Sequence, residues 1–267
     1  MGTAIGMMKK LPICARLIKS THQVLMHGVR GEGKAPGEFR RVQNWIGGRN
    51  PKEAVHVPPE PQEVPELMTD LEAFLNNTEI EIPHLVRVAM AHYQFETIHP
   101  FLDGNGRTGR LLIVLYLIQN GLLLQPTLHL SDYLEKKRRE YFDCLSGVRS
   151  TGGMKQWLIF SLGAVIETTK TGCATFEKVL ALRNEVDEEI RKAGSKAANV
   201  NLLFRYFFQN PILEMTKATT IESIPNRTLL RLVNQYAEKG LLVELSGKLR
   251  DRTFAFKRYI DLFKTGN

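Results

Sequence analysis

The chain has 267 residues, of which 43% are hydrophobic and 24% charged, and its formal net charge is +8. This composition is typical of one or two folded domains and excludes a largely disordered chain. No stretch reaches the roughly 20 apolar residues that span a bilayer, and the N-terminus lacks signal-peptide features. The three cysteines are far apart, so we expect no disulfide framework, a cytoplasmic protein and no membrane partner. The positive charge favours phosphate-bearing partners.

The first part of the chain predicts a helical domain with one β-like interruption. Apolar residues near the N-terminus recur at helical spacing, and a glycine-rich loop follows them. Short apolar runs over Phe39–Ile46 and Ala54–Val57 then predict a two-stranded flap. Helices are expected to begin at Pro65 and Pro83. The later segment RLLIVLYLIQNG is apolar on nearly all sides, which predicts a central buried helix.

The remaining sequence predicts more helices and then a change of architecture. A helix capped by Ser131 is expected, and helical periodicity continues after it. Near residue 196 the pattern changes to two short helices followed by two strands around a basic turn, which predicts a winged helix-turn-helix. We therefore expect a first domain over residues 1–195, with its core at about 15–165, and a winged-helix domain over residues 196–267.

The segment HPFLDGNGRTGR, residues 99–110, is unusually rich in glycine and charge. It lies between two predicted helices and leads into a helix N-terminus, where unpaired N–H groups and the helix dipole favour phosphate. Gly104 and Gly106 are expected to let the backbone amides turn inward. Arg107 and Arg110 are three residues apart, and guanidinium groups suit phosphate oxygens. The pattern predicts a site for more than one phosphate.

Four other side chains of this segment complete the predicted site. Asp103 is an acid among phosphate-binding groups, which indicates a bridging Mg²⁺ ion. His99 titrates near neutrality and is a candidate general base for an attacking hydroxyl. Asn105 is expected to donate an amide or to adopt a left-handed conformation, and Phe101 to anchor the loop in the core. The residues indicate a nucleotide–Mg²⁺ site beside a general base.

Three weaker pattern matches compete with this interpretation. GNGRTG at Gly104–Gly109 fits a dinucleotide-binding fingerprint, but a helix rather than a strand precedes it. GVRGEGKA at Gly28–Ala35 approaches a P-loop, but Ala35 stands where a Mg²⁺-binding hydroxyl is required. His22 and His27 are five residues apart and so face different sides of a helix, which favours packed or solvated histidines over a zinc site.

The segment resembles the signature of the Fic family, H-x-F-x-[D/E]-G-N-G-R-x-x-R. All fixed positions of that pattern are present: His99, Phe101, Asp103, Gly104, Asn105, Gly106, Arg107 and Arg110. The stretches HYQFETIHPF, GEFRRVQNWIGG with VHVPP, and KKRREYFDCLSGVR are also similar to that family. The resemblance implies a mainly α fold, with a Fic-type helical bundle, a small β-hairpin flap and a C-terminal winged helix-turn-helix.

The resemblance also implies an activity, protein adenylylation (AMP transfer) with ATP as the substrate. By this analogy, His99 deprotonates a Ser, Thr or Tyr hydroxyl of a target protein, or of the enzyme itself, and the oxygen attacks the α-phosphate. Asp103 would hold Mg²⁺ or Mn²⁺, and Arg110 would reach the γ-phosphate. The implied nucleotide-binding residues are Asp103, Gly104, Asn105, Gly106, Arg107, Thr108, Gly109, Arg110, Tyr141 and Phe142.

Two further roles follow from the same resemblance. The flap residues Ile46, Gly47 and Gly48 would align the target segment by strand-like pairing. Tyr141 and Phe142 would contribute to the nucleobase pocket, where Phe142 replaces a tyrosine that is common in the family. The inhibitory motif [S/T]-x-x-x-E-[G/N] of many members has no match here, so we expect an unrestrained enzyme.

Other functions remain open from the sequence. The main alternative is a DNA-binding regulator that uses the winged helix and keeps the Fic fold as a sensor. A winged helix also mediates homodimers in some proteins, and transfer of UMP or phosphate is a lesser enzymatic alternative. Phosphate contacts of a regulator are expected among the basic residues Arg227, Arg231, Lys239, Lys248, Arg250, Arg252, Lys257 and Arg258.

Overall fold

The computed structural model describes residues 2–8, 10–28, 33–215, 221, 224–248 and 251–264. These residues form α-helices, short β-strands and two 3₁₀ turns, and they confirm the prediction of a mainly α fold. The helices are α1 (Gly2–Met8), α2 (Ala15–Met26), α3 (Val64–Asn76), α4 (His84–Ile98), α5 (Asn105–Gln119), α6 (Leu130–Lys136), α7 (Arg138–Thr151), α8 (Met154–Lys192), α9 (Ala197–Gln209), α10 (Asn226–Glu238) and α11 (Lys257–Leu262). The strands are β1 (Ile212–Glu214), β2 (Val243–Glu244) and β3 (Thr253–Ala255).

The chain divides into two compact units, residues 1–170 and 171–267, and the boundary in the sequence falls within the long helix α8. The sequence-based boundary between residues 195 and 196 stays a prediction. None of the helices among the described residues has both the length and the apolar character required to cross a bilayer.

Helices α4 and α5 form the centre of the first unit. Every residue from Leu112 to Leu117 is buried, which confirms the prediction of a central helix that is apolar on nearly all sides. Phe95 and Phe101 are fully buried beside it, and burial of each such side chain stabilises the fold by about 2–3 kcal/mol. Trp157 of α8 is also buried, and its indole N–H donates to the carbonyl of Ala89 at 2.9 Å. This core fixes the two helix ends that flank the segment at residues 99–104.

Local sequence signals place most helix starts correctly. Pro65 lies in the first turn of α3, and Pro83 directly precedes α4. The predicted cap at Ser131 is wrong: α6 begins at Leu130, and the Ser131 hydroxyl instead accepts a hydrogen bond from Arg110 Nε at 3.0 Å. The polar group that suggested a cap is therefore used in a contact between helices.

The flap differs from the two strands that the sequence predicts. Only one antiparallel bridge forms, between Ile46 and His56, and the ranges Phe39–Ile46 and Ala54–Val57 are otherwise irregular. A side-chain hydrogen bond stands where backbone hydrogen bonds between two strands were expected: Gln43 donates to the carbonyl of Pro58 at 2.8 Å. The flap is thus a loop with a single bridge at its tip.

The second unit places α9, β1, α10, β2 and β3 in that order along the chain. The strands form an antiparallel sheet in the order β1-β3-β2, with Ile212 and Val243 both paired to Ala255. Phe204, Tyr236 and Phe254 are buried in its core. Strand β1 was not predicted, and the last predicted strand runs past β3 into the residues that form α11.

Candidate active site

The loop between α4 and α5 begins and ends in left-handed backbone conformations. His99 caps the C-terminus of α4 with φ of 49°, and Gly104 precedes α5 with φ of 77°. A non-glycine residue in this region costs about 1–2 kcal/mol, so surrounding contacts must hold His99 in place. A Cβ at Gly104 would lie 2.7 Å from Met26 Sδ, so Gly104 is required both for its conformation and for its lack of a side chain.

Arg40 from the flap supplies the contacts that hold His99. Its Nε donates to the carbonyl of His99 at 3.0 Å, and its Nη2 donates to the carbonyl of Ile98 at 3.3 Å. Its backbone N–H donates to the carbonyl of Pro100 at 2.8 Å. Arg40 is only 2% exposed, and these hydrogen bonds satisfy the buried carbonyls at the C-terminus of α4. The flap therefore begins with the residue that fixes the position of the candidate base.

His22 of α2 supports the other side of the loop. Its ring stacks on Phe101 with centroids 3.8 Å apart. Nδ1 accepts a hydrogen bond from the Gly37 N–H at 2.9 Å, so Nε2 carries the proton and donates to the carbonyl of Asp103 at 2.9 Å. Of the two expectations for His22, packed or solvated, the structure shows the packed one, and it confirms Phe101 as a buried anchor, since both are 0% exposed.

Asn105 closes the loop from within. Its side-chain oxygen accepts from the Phe101 N–H at 2.9 Å, and its Nδ2 donates to the Phe101 carbonyl at 2.7 Å. Thr108 donates its hydroxyl to the carbonyl of Gly104 at 3.0 Å. Asn105 and Thr108 are both buried, so their side chains hold the backbone of the loop.

The N-terminus of α5 presents its first N–H groups at the same place. Arg107 and Arg110 are half-buried, and they contact different elements: Arg107 Nη2 lies 3.1 Å from Met26 Sδ, whereas Arg110 reaches Ser131. Gly106 is helical rather than left-handed, and a Cβ there would lie 3.3 Å from Arg110 Nη1. Gly106 therefore provides clearance beside the arginine, and not the unusual conformation that the sequence suggested.

Asp103 is exposed at the edge of the loop. One of its carboxylate oxygens accepts a hydrogen bond from the Gly104 N–H at 2.6 Å. Among the described residues no group of three or more His, Cys, Asp or Glu side chains gathers to hold a metal. An exposed carboxylate suits a hard cation such as Mg²⁺, which usually takes one or two carboxylates together with phosphate oxygens. The residues present fit that mode of binding.

The electrostatic surroundings of His99 keep its ring neutral. The pKa of His99 is lowered to about 4, mainly by burial; a main-chain hydrogen bond with Glu96 opposes this shift, and the neighbouring His56, Arg40 and Arg149 add to it. A neutral imidazole at physiological pH has a free nitrogen and can accept a proton. The burial of His99 thus suits a base, although a low pKa also limits its strength.

The predicted nucleobase residues lie on α7. Tyr141 is buried, and its hydroxyl lies 3.1 Å from His92 Nε2, whereas Phe142 is 37% exposed and has Arg138 over its ring. His92 is 2% exposed, and burial lowers its pKa to about 4, so it is a buried, neutral partner of Tyr141. Only Phe142 of the pair offers an accessible aromatic face.

The predicted flap residues lie at the bridge and in the turn after it. The Ile46 N–H donates to the His56 carbonyl at 2.9 Å, and Gly47 and Gly48 follow with φ of 72° and 69°. A Cβ at Gly48 would lie 2.4 Å from the Glu53 carbonyl oxygen, so this turn requires glycine. Trp45 is 42% exposed and is therefore not a core residue of the flap.

Sequence reasoning missed several residues that shape the site. Arg40, His22 and Asn44 support the loop from the flap and α2, and Glu96 and Arg149 lie beside His99. Glu96 could have been found from the sequence, because it is a charged residue among the apolar residues of a predicted helix. No local pattern announces the others, because their partners are far away in the sequence.

Comparisons with known proteins agree with this geometry. Residues 12–117 match the model of the Fic/DOC family. The matched segment contains α2, the flap, α3, α4, the loop at residues 99–104 and most of α5. Similar sequences include a protein named protein adenylyltransferase Fic from Culex quinquefasciatus, which is 37% identical over 145 residues, and one of the same name from Drosophila grimshawi, which is 42% identical over 118 residues.

The matches differ in how much of each protein they cover. The Culex alignment covers 54% of this chain and 26% of the relative, and the Drosophila alignment covers 43% and 22%. The chain thus spans about a quarter of the length of these relatives. A Fic family protein from Desulfovibrio desulfuricans G20 is similar in structure over 100% of this chain and 74% of its own, with a TM-score of 0.56 and 23% identity. Fic-1 from C. elegans is similar over 66% and 50%, with a TM-score of 0.50 and 23% identity.

Proposed function

We propose that this protein is a protein adenylyltransferase, which transfers AMP from ATP to a hydroxyl side chain of a protein. The observation that carries the proposal is the loop geometry: a half-buried neutral histidine lies at one end, and the N-terminus of α5 opens at the other. The names of the sequence relatives support the same activity.

In this mechanism His99 acts as the general base. The hydroxyl oxygen of the target forms a bond to the α-phosphorus, the bond from that phosphorus to the leaving oxygen breaks, and pyrophosphate departs. The hydroxyl proton passes to the free ring nitrogen of His99. The backbone N–H groups of Gly106 and Arg107, at the start of α5, would bind phosphate oxygens.

The charged side chains of the loop have separate roles. Arg107 and Arg110 would balance phosphate charge, with Arg110 nearer to the γ-phosphate. Asp103 would hold Mg²⁺ or Mn²⁺, which supplies charge neutralisation at the phosphates when bound. The nucleotide would be bound by backbone groups whose positions are fixed by Asn105, Thr108 and Gly109.

The flap would hold the target segment beside His99. Ile46, Gly47 and Gly48 offer backbone groups for strand-like pairing, which tolerates different target sequences. Tyr141 and Phe142 would border the nucleobase, with Phe142 as the accessible ring. The enzyme itself is one candidate substrate.

The test uses ATP labelled at either the α- or the γ-phosphate, with Mg²⁺ and cell lysate. Label that depends on His99 is expected from α-labelled ATP alone, since AMP transfer releases the γ-phosphate with pyrophosphate. His99→Ala should remove this label, whereas His129→Ala, which changes an exposed histidine at the start of α6, should retain it. Label from γ-labelled ATP that His99→Ala removes would instead indicate phosphoryl transfer, and no His99-dependent label from either would contradict both reactions.

DNA binding by the second unit is the second candidate function. The order of α9, β1, α10 and the two-stranded wing supports a winged helix-turn-helix with α10 as its recognition helix. Arg227 and Arg231 are exposed on α10 and make no ion pair with the residues that the structure describes. They are the basic residues best placed for phosphate contacts.

Other basic residues considered for DNA binding are engaged within the unit. Lys239 pairs with Glu189, Arg252 with Glu244, Arg258 with Glu185 and Lys257 with Asp261, and Arg250 lies outside the described residues. These ion pairs reduce the positive charge that is available to bind DNA. AMP transfer is therefore a stronger proposal than DNA binding. Salt-sensitive binding to a DNA duplex that is lost in Arg227→Ala/Arg231→Ala would support a regulator. Weak, salt-insensitive DNA binding that is equal in the wild type and in the double variant would count against a regulator.

A further inference from the structure

Glu96 is a buried acid in the last turn of α4, three residues before His99. Its residue exposure is only 6%, and its Oε2 lies 3.9 Å from His99 Nδ1. Residues three apart on a helix share one face, so the carboxyl and the imidazole approach each other directly. A buried carboxyl beside a candidate base requires an explanation, because burial of an acid without a partner is unfavourable.

His99 Nδ1 and the second carboxylate oxygen of Glu96, Oε1, also lack partners. Both atoms are buried and make no hydrogen bond of normal geometry within the described part of the chain. The main-chain carbonyl of Glu96 lies near enough to His99 to raise the pKa of the ring, so the neighbouring acceptors on this side both come from Glu96. An N–H at Nδ1 would therefore point towards Glu96.

The surrounding elements leave room for the carboxyl and surround it with charge. A Cβ at Gly109 would lie 2.7 Å from Glu96 Oε1, so glycine at this position of α5 makes space for it. Burial raises the pKa of Glu96 to about 7, and Arg110 and Arg149 oppose the rise. The titratable and charged groups that face the pair are His92 on α4, Arg110 on α5, Tyr141 and Arg149 on α7, and His56 and Arg40 on the flap.

We propose that Glu96 is a positioning residue whose carboxylate accepts the Nδ1–H of His99 and so leaves Nε2 as the nitrogen that receives the target's proton. This role rests on the proposed AMP transfer. When Nε2 takes the hydroxyl proton, His99 becomes an imidazolium, and the nearby carboxylate stabilises its charge. The distance of 3.9 Å should shorten to hydrogen-bonding length as the ring acquires charge.

The tautomer and pKa of His99 test the role without any need for activity. We would prepare the full chain with isotope-labelled histidine and assign the His99 signals among the seven histidines by comparison with His99→Gln. In the wild type the nitrogen spectra should show the proton on Nδ1. In Glu96→Gln the population should shift towards Nε2–H, and the pKa of His99 should fall. Glu66→Gln, which removes an exposed carboxylate on α3, should leave both unchanged.

The outcomes of this experiment separate the inference from the proposed function. An unchanged tautomer and pKa in folded Glu96→Gln would overturn the role of Glu96. If Glu96→Gln does not fold, a pH titration of the wild type replaces it, because the His99 signals should respond near pH 7 where Glu96 ionises. A flat His99 response there would also overturn the role. Absence of AMP transfer in the wild type, with the tautomer as expected, would reject the proposed function alone.

Kinetics then connects the position of the proton to the rate. Glu96→Gln should lower kcat by about 10- to 100-fold and leave the KM for ATP unchanged, since the substitution alters the base rather than nucleotide binding. If Glu96 has only a structural role, Glu96→Met should lower kcat as much as Glu96→Gln does, and the pH dependence of kcat should not change. In the proposed role, the acid limb of the pH profile of kcat moves in Glu96→Gln.

Discussion

The loop at residues 99–104 and the flap at residues 39–57 lie next to each other but are stabilised differently. The loop is held by buried contacts: Arg40 binds the His99 carbonyl, and Asn105 binds both backbone groups of Phe101. The flap has one bridge, and it exposes Val42, Trp45, Val55 and Val57 by 42% to 62%. A fixed loop suits chemistry at a phosphate, whereas a loosely paired apolar flap suits binding of varied protein segments.

The largest expected effect concerns the base in the loop. His99→Ala should reduce AMP transfer by at least about 100-fold, because general base catalysis contributes on the order of 10²–10⁴ in rate. ATP binding should persist, since the loop amides and arginines remain. Initial rates and ATP titration calorimetry measure the two effects. A variant with wild-type rates would show that the loop histidine is not the base, and His129→Ala serves as the exposed control.

The stability of the loop and the flap can be compared with two asparagines. Asn105→Ala should lower the free energy of unfolding by about 2 kcal/mol or more, because it leaves the buried Phe101 N–H without its partner. Asn50→Ala removes the exposed side chain that caps Pro51–Glu53 in the flap and should cost about 0.5–1 kcal/mol. Urea unfolding gives both values. Equal costs would remove the distinction between a fixed loop and a weakly held flap.

Acid should weaken the site because its histidines are buried and neutral. The pKa values of His92 and His99 are lowered from 6.5 to about 4, so the unfolded chain binds more protons as the pH falls through this window. The free energy of unfolding should therefore decrease between pH 6.5 and about 4. Glu96 acts oppositely, since its pKa is raised from 4.5 to about 7, but it is one group against two.

The same pH series compares the core with the flap. His92→Phe should flatten the dependence of unfolding free energy on pH more than His56→Phe, because His92 is more deeply buried than the flap histidine. Denaturation curves at several pH values provide the slopes. The opposite order of the two slopes would place the acid-sensitive contacts in the flap.

The smallest effect is expected at the surface of the flap. Trp45→Ala should raise the KM for a protein target by several-fold, up to about tenfold, because an exposed aromatic side chain contributes to binding. The rate at saturation and the KM for ATP should not change. Leu124→Ala, which truncates a side chain that is 92% exposed elsewhere, is the matched control. A change confined to the KM for ATP would assign Trp45 to the nucleotide site instead.

The sequence predicted features that depend on local signals. Helix α5 was predictable because its apolar residues occur on all sides, and Pro83 marked the start of α4. The loop was predictable because its glycines, acid and arginines are consecutive. The Fic resemblance then supplied roles that spacing alone leaves open.

Features that depend on distant partners escaped prediction. Gln43 and Arg40 bind carbonyls 15 or more positions away, so no local pattern indicates that they support the loop. Strand β1 has only three residues, and its partner β3 lies about 40 positions later, too far for a periodic pattern. The role of Glu96 emerges only when α5 and α7 pack around it.

The most direct test of the account is a crystal structure of the protein with Mg²⁺ and a non-hydrolysable ATP analogue. The account predicts the phosphates at the N-terminus of α5, with the α-phosphate facing His99 and the flap left free for a target. Phosphates bound elsewhere, for example in the 820 Å³ groove lined by Arg16, Lys19 and Arg41, would contradict it.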